Sequence, residues 1–306
     1  MSSEKRAKKV WTTLITNTTY LPGLLTFEYS LRRVRSKYAI VALYTDSFPA
    51  DGHAALDTRG ILRQHVPYLL PSVPNDYTND VRFYDCWSKL TPFSLVGYDR
   101  IVQLDSYMVV LRNMDELMDL ELDSPDLAGT GERVFAASHA CVCNPLQKPH
   151  YPKDWIPSNC AYTGQHTTPS AAQTTGATAA AGLGIPNGGL QVVNPSLETY
   201  NKILVQLSTS VTASYDFADQ SLLGDLFYGR WVALPYVYNA LKTLRWKGVH
   251  DGIWRDEEVK NVHYILSPKP WDEERGEDGE FKSADPSHEW WWAANRGRLE
   301  EKASGL

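Results

Sequence analysis

Three short apolar runs limit what this chain can fold into. "WTTLIT" at 11–16 is rich in β-branched residues, "YAIVALYTD" at 38–46 is apolar almost throughout, and "RIVQLD" at 100–105 is apolar until it meets an acid. Each has the length and continuity of a strand buried on both faces. Between the first two, Leu24, Leu25, Phe27, Leu31 and Val34 recur near the helical period, behind a capping Asn17-Thr18-Thr19 segment. "AALDTRGILRQHV" at 54–66 reads as helix, and "SKLTPFSLVGYD" at 88–99 as a short helix leading into the strand that stops at Asp105. Strands alternating with helices imply an α/β fold with a mostly parallel central sheet and helices on both faces. Ligands of such sheets bind beyond the carboxyl ends of the strands. Asn17 and Asp105 both stand at such ends.

The 306 residues are ample for a buried core, in one large domain or two smaller ones. A net charge of −6 without a basic face argues against a nucleic-acid partner. The basic "SEKRAKK" reads as a solvated, frayed end, so residues 1–9 are expected to be flexible. No apolar run reaches the length of a membrane span, and no signal peptide precedes Trp11. The spacing of Cys86, Cys141, Cys143 and Cys160 is neither a zinc framework nor a disulfide ladder. Reduced thiols in a cytoplasmic protein are the expectation. The 10 Trp and 17 Tyr hint at sugar handling, although large cores also use aromatics.

Residues 144–186, rich in Pro, Thr, Ala and Gly, read as a long insertion loop without periodicity. Order returns with a strand at 189–193, a turn at Asn194-Pro195 and a helix; "SYDFADQSLLGDLF" is an acidic helix start. "VKNVHYILSPKPW" is a late strand ending in a turn. Residues 273–306 read as a charged linker and a Trp-rich tail with a short helix, its Trp triplet a structural dock.

A strand-end Asp is commonly a turn cap. An apolar strand stopping at Asp105, with "MVVL" beyond, also resembles the Asp-x-Asp segment of nucleotide-sugar glycosyltransferases of the GT-A type. There a hard cation bound to a diphosphate takes carboxylate oxygens. Further segments extend the resemblance over residues 10–272. "TLITNTTY" is similar to the opening nucleotide segment of the glycogenin and galactinol synthase family, glycosyltransferase family 8. "SKL" at 88–90, "NGG" at 187–189, "DFADQSLL" at 216–223 and "VHYILSPKPW" at 262–271 follow in the family's order. The insertion and the tail lie outside the general family pattern and are similar to features of fungal members.

The resemblance implies a single GT-A, Rossmann-like domain over 10–272. It implies Leu14, Thr16, Asn17 and Tyr20 on uracil and ribose, and Lys89, Asp105 and Ser106 facing the nucleotide sugar. Asn187, Gly188 and Gly189 would lie at the donor sugar, Gly permitting close approach. Asp105 and His263 would bind Mn2+ or Mg2+, and Lys269 the diphosphate. Asp216, Asp219 and Gln220 would stand beside the anomeric carbon. Each has a plainer alternative: His263 a buried hydrogen-bonded histidine, Lys269 a surface lysine, and the 216–220 set an acidic helix N-terminus.

The implied function is retaining hexosyl transfer from a UDP-sugar to a sugar, polyol such as inositol, or glycan, with a homodimer as an open assembly. No acceptor-tyrosine loop is evident, so self-glucosylation is disfavoured. Tyr107 stands where the second Asp of the metal motif belongs. A neutral phenol is a poor ligand for a hard cation. The expectation is therefore an enzyme with reduced metal affinity or activity; the alternative is a catalytically weakened UDP-sugar-binding scaffold.

Overall fold

In the computed structural model, which describes residues 8–273, 283 and 285–304, the three apolar runs are neighbours in one sheet. Strands β1 (Lys9–Ile15), β2 (Ile40–Tyr44), β3 (Leu62–His65) and β4 (Arg100–Leu104) form its parallel half. β5 (Met108–Val110) leaves the sheet, and β6 (Phe135–Ala137), β7 (Leu190–Val193) and β8 (Val232–Ala233) complete it. The order is β3-β2-β1-β4-β7-β6-β8, with β7 antiparallel to both neighbours. A small second sheet, not foreseen from the sequence, sets β5 beside β10 (Asn261–His263) and β10 beside β9 (Ala240–Leu241). The helices are α1 (Leu21–Arg33), α2 (Ala50–Thr58), α3 (Arg82–Cys86), α4 (Ala161–Gly164), α5 (Leu197–Leu207), α6 (Ala218–Leu226) and α7 (His288–Ala303).

Side chains alternate along the strands, so each strand serves two cores. Trp11, Val102, Val192 and Ala136 pack under Phe27 and Leu31 of α1. Phe135 and Val193 face the other way, onto Trp87, Leu90, Ile203 of α5 and Leu222 of α6. That second face also carries a buried polar row. Thr12 Oγ1 donates to Gln103 Oε1 at 3.3 Å, and Gln103 Nε2 to the Lys89 carbonyl at 3.1 Å. Gln191, in register with Gln103, donates from Nε2 to Asp219 Oδ2 at 3.2 Å. The sheet interior thus holds by hydrogen bonds the two segments that carry Lys89 and Asp219.

One reading of the sequence needs correction here. The 54–66 segment is not one helix: α2 stops at Thr58, Gly60 takes φ +63°, and Leu62–His65 becomes edge strand β3. Ile61 N bonds back to the Leu56 carbonyl at 3.0 Å, a helix-terminating turn that favours glycine. The four cysteines are free, and three of them are gathered in space. The insertion holds only short helical turns and returns along the chain before it, with Ala140 N on the Ile185 carbonyl at 2.9 Å and Asn187 N on the Ser138 carbonyl at 2.8 Å. That closure brings Cys160 to Cys141 and Cys143, a grouping that linear spacing does not reveal. Residues 1–7 of the expected flexible terminus and 274–282 of the expected linker lie outside the described residues. No helix among the described residues is long and apolar enough to cross a membrane.

The tail docks through its tryptophans. Trp291 is buried, with its ring 5.4 Å from that of Trp271 and 4.8 Å from that of Trp292. Alongside, Arg32 of α1 makes a two-pronged pair with Glu301 at 2.7 Å and 2.7 Å. Emptying so large a buried site is expected to cost about 3–5 kcal/mol. Trp291→Ala should therefore lower the calorimetric Tm well below that of Trp290→Ala, which removes a half-buried ring.

Candidate functional site

The site forms where β4 ends. Asp105 N donates to the Gly189 carbonyl at 2.9 Å, fixing the strand end to the glycine pair ahead of β7. The Asp105 side chain is buried, with Oδ1 2.5 Å from Lys89 Nζ and Oδ2 3.5 Å from His263 Nε2. Burial works against both charges of the pair, yet each holds the other. Lys89 stays well above its ordinary value, and the Lys89 ammonium keeps Asp105 well below the usual carboxylate range. Burial pushes His263 down to about 4, with Asp105 opposing in part, so its imidazole is neutral at pH 7.

A relay orients that imidazole. His263 Nδ1 donates to Asn239 Oδ1 at 2.8 Å, and Asn239 Nδ2 donates to Asn187 Oδ1 at 2.9 Å. Asn187 Oδ1 also accepts from Gly189 N at 3.0 Å. His263 Nε2 is left buried without a hydrogen-bond partner. Its lone pair faces a carboxylate oxygen, and a divalent cation between the two would satisfy both. The fixed tautomer and the outer amide are the usual supports of a metal-bound histidine.

Opposite stands the start of α6. Ala218 takes φ +42°, an uncommon conformation for a residue with a side chain. Asp219 follows, buried, and Gln220 Oε1 accepts from Gly188 N at 3.4 Å. Burial lifts the Asp219 carboxyl to about 7; Lys89 opposes the shift and Asp105 adds to it. The two glycines are sterically required. A methyl group at Gly188 would lie 2.3 Å from Asp219 Oδ2, and one at Gly189 2.3 Å from His263 Cε1.

Two adjoining hollows share Arg82, Cys86, Lys89, Asp105 and Tyr107. One is walled by Leu14, Thr16, Asn17, Tyr20 and Ser106. The other is walled by Asn187, Gly188, Gly189, Asp219, Gln220 and His263, with Tyr151 and Trp155 of the insertion opposite. Tyr107 sits at the junction, its ring 5.1 Å from His263, 5.4 Å from Tyr20 and 3.8 Å from the Lys269 ammonium. Burial, and then Asp105, pushes its phenol well above its ordinary value, so it stays neutral.

Most of the residues singled out from the sequence therefore converge, but two do not. Asp216 is exposed and lines a separate hollow with Asn75, Asp80 and His150. Lys269 is buried behind Tyr107 and donates from Nζ to the Tyr264 carbonyl at 2.6 Å, rather than opening onto either hollow. Burial, with Arg82 and Lys242 near, holds its ammonium well below the ordinary value. Three residues were missed. Arg82, paired with Asp80, lies two helical turns before Lys89, a spacing that was there to be read. Asp85 accepts from Thr16 Oγ1 at 2.7 Å and from the Tyr68 hydroxyl at 2.8 Å. Asn239 reaches the site only through the pairing of β9 with β10, for which the sequence carries no signal.

The profile described as "Glycosyl transferase family 8" matches residues 12–275. Galactinol synthase 3 of Arabidopsis thaliana is 28% identical over 309 residues, spanning 96% of this chain and 84% of that protein. Galactinol synthase 1 of Solanum lycopersicum is 26% identical over 305 residues, spanning 96% and 84%. Among solved structures, the galactosyltransferase LgtC in complex with donor and acceptor sugar analogues superposes with a TM-score of 0.60 at 15% identity, covering 94% of this chain and 96% of that one. The glycosyltransferase GlyE of Streptococcus pneumoniae TIGR4 superposes at 0.59 with 17% identity; the chain is covered to 97% and spans 64% of that protein.

The raised carboxyl of Asp219 has a consequence for stability. A carboxyl that titrates higher folded than unfolded stabilises the fold fully at low pH, and that contribution is lost as pH rises through about 7. Asp219→Asn should therefore raise the Tm at pH 8 by roughly 2–5 °C and leave it nearly unchanged at pH 4. Thermal unfolding of both proteins at the two pH values checks this.

Proposed function

Because the chain belongs to glycosyl transferase family 8, we propose that it transfers a hexose from a UDP-sugar to a hydroxyl of a small polyol or glycan, with retention at the anomeric carbon. Its fold is the GT-A fold of LgtC and GlyE. The observation that carries the reading is the facing of Asp105, Lys89 and His263 by Asp219 and Gln220 across two glycines that admit no side chain. The name of the plant relatives makes inositol the first acceptor to try.

In this reading the hollow of Leu14, Thr16, Asn17 and Tyr20 takes uracil and ribose, and Ser106 faces the nucleotide. The diphosphate lies over Lys89 and Arg82, whose positive charge opposes the charge that grows as the leaving group departs. Lys269, buried behind the Tyr107 ring, stands outside that wall. Asp105 and His263 would hold Mn2+ or Mg2+, which supplies further neutralisation of the diphosphate. Asn187, Gly188 and Gly189 let the hexose approach the sheet edge closely. The bond from the anomeric carbon to the diphosphate oxygen breaks, and its electron pair leaves with UDP. The acceptor oxygen then bonds to that carbon from the same face and gives up its proton to an oxygen of the departing diphosphate.

Asp219 serves by attacking the anomeric carbon in a double displacement, or by orienting the acceptor in a same-face substitution. Both roles require the ionised carboxylate. Activity is therefore expected to rise with pH through about 7, and Asp219→Asn to lower kcat on the order of 10²-fold or more. Gln220, bonded to Gly188, offers its amide beside the positive charge on the sugar.

The test is a screen of UDP-glucose, UDP-galactose and UDP-N-acetylglucosamine with inositol as acceptor, reading released UDP across a manganese titration. Turnover with at least one donor is expected. Tyr107→Asp should lower the manganese concentration needed for half-maximal rate by roughly tenfold, because added ligand charge tightens such sites. A native chain that binds UDP in calorimetry but turns over no donor would favour the scaffold alternative. One that neither binds UDP nor releases it would end the reading altogether.

A further inference from the structure

A second constellation lies outside the sugar-transfer machinery. Cys141 and Cys143 follow β6, Cys160 precedes α4 inside the insertion, and His250 comes from the loop between β9 and β10. Their four donor atoms lie within 4.8 Å of one another. His250 Nε2 is 3.1 Å from Cys143 Sγ and 3.3 Å from Cys160 Sγ. Cys160 and His250 are buried, and the two other thiols are half-buried.

Hydrogen bonding does not account for this grouping. Three thiols are weak donors and weak acceptors, and bringing them together in an apolar cluster with one imidazole leaves most of that capacity unused. A disulfide would engage two sulfurs and leave the third facing His250, and no disulfide is formed. A metal ion would engage all four donors. Tetrahedral zinc with Zn–S of about 2.3 Å and Zn–N of about 2.0–2.1 Å has edges of roughly 3.5–3.8 Å. The observed sulfur–nitrogen distances are close to that. The other imidazole nitrogen is also committed, since His250 Nδ1 lies 2.9 Å from His166 Nε2. Such an outer partner fixes the tautomer that presents Nε2 to a metal.

We propose that Cys141, Cys143, Cys160 and His250 hold a zinc ion in a closed structural site, separate from the divalent-cation site at Asp105 and His263. Binding replaces three S–H bonds by Zn–S bonds. Three protons go to solvent, and the complex of Zn2+ with three thiolates and a neutral imidazole carries one negative charge. Four protein ligands leave no open position, which marks a structural role and not a catalytic one. The ion fastens the insertion at Cys160 to the segment after β6 at Cys141 and to the loop at His250. Tyr151 and Trp155, which line the same hollow as Asp219, lie on the segment so fastened. The metal site itself does not depend on the transferase reading.

The test is the metal content of the native chain, purified under reducing conditions without chelator and desalted. About one zinc per chain is expected, and it should be released by a mercurial thiol reagent. Loading with Co2+ in place of zinc should give thiolate-to-cobalt charge-transfer absorption. Cys160→Ser should lose most of the bound zinc, while Cys86→Ser, which lies outside the cluster, should keep it. A native chain that retains no zinc and gives no such absorption with cobalt would overturn the proposal, whatever the variants do. So would mass spectrometry showing two of the Cys141, Cys143 and Cys160 thiols joined as a disulfide in the freshly isolated protein. Neither measurement reads sugar transfer, so failure here and failure of the catalytic reading can be told apart.

Discussion

The ion pair between Lys89 and Asp105 is the constraint on which the site depends. Each charge is buried, and alone each would be costly. Together they stay ionised, and every neighbouring choice follows. The Lys89 carbonyl is held by Gln103 of β4, and Asp105 N by the Gly189 carbonyl, so the pair bridges three segments of backbone. Losing one partner would strand the other charge in a low-dielectric pocket. The polar row Thr12, Gln103 and Gln191 inside an otherwise apolar sheet makes sense on the same grounds. It supplies the bonds that keep Lys89 and Asp219 at fixed positions on the sheet's second face.

That pair also sets the charge state of its surroundings. Asp219 is buried near the same lysine, but Lys89 is already committed to Asp105 at 2.5 Å. Asp219 gains only part of that field, so burial dominates and its carboxyl climbs to about 7. Two carboxylates in one cavity are thereby driven apart, one firmly ionised and one poised near neutrality. Such separation by environment is how one pocket comes to hold groups with different proton affinities. His263 follows the same logic: burial keeps it neutral and Asn239 fixes its tautomer, so its lone pair points inward.

Much of this was legible in the sequence, for reasons that differ by residue. The parallel strands could be read because burial on both faces demands continuous apolar runs, and Asp105 was visible as the acid that ends one. β3 was missed because an edge strand, "LRQH", has no such demand; the glycine before it was the only local signal. Asp219 and Gln220 share the hollow of Asp105 and His263, whereas Asp216, three residues before Asp219, lines another, with a positive φ at Ala218 between them. Lys269 was read as a diphosphate ligand from its segment, yet its ammonium is drawn to a carbonyl and an aromatic face behind the wall. Asn239 and the Cys141–Cys143–Cys160–His250 group depend on pairings between segments far apart in the chain. Spacing rules, which assume ligands from one or two local turns, do not see them.

Tyr107 draws these threads together. At this position a carboxylate would face Asp105 across the junction of the two hollows, where Lys89 is already paired with Asp105 and His263 is neutral. The phenol avoids that repulsion. Its ring instead lies against His263, Tyr20 and the Lys269 ammonium, and a cation over an aromatic face is favourable where water is excluded. Behind this ring the Lys269 ammonium donates to the Tyr264 carbonyl. The replacement of an acid by Tyr107 is thus tied to the buried position of Lys269: the same ring that withholds a ligand from a cation site supplies the surface on which a protein ammonium rests. A carboxylate restored at 107 would therefore act on two groups at once, on His263 and Asp105 as a further ligand, and on Lys269 as a counter-ion.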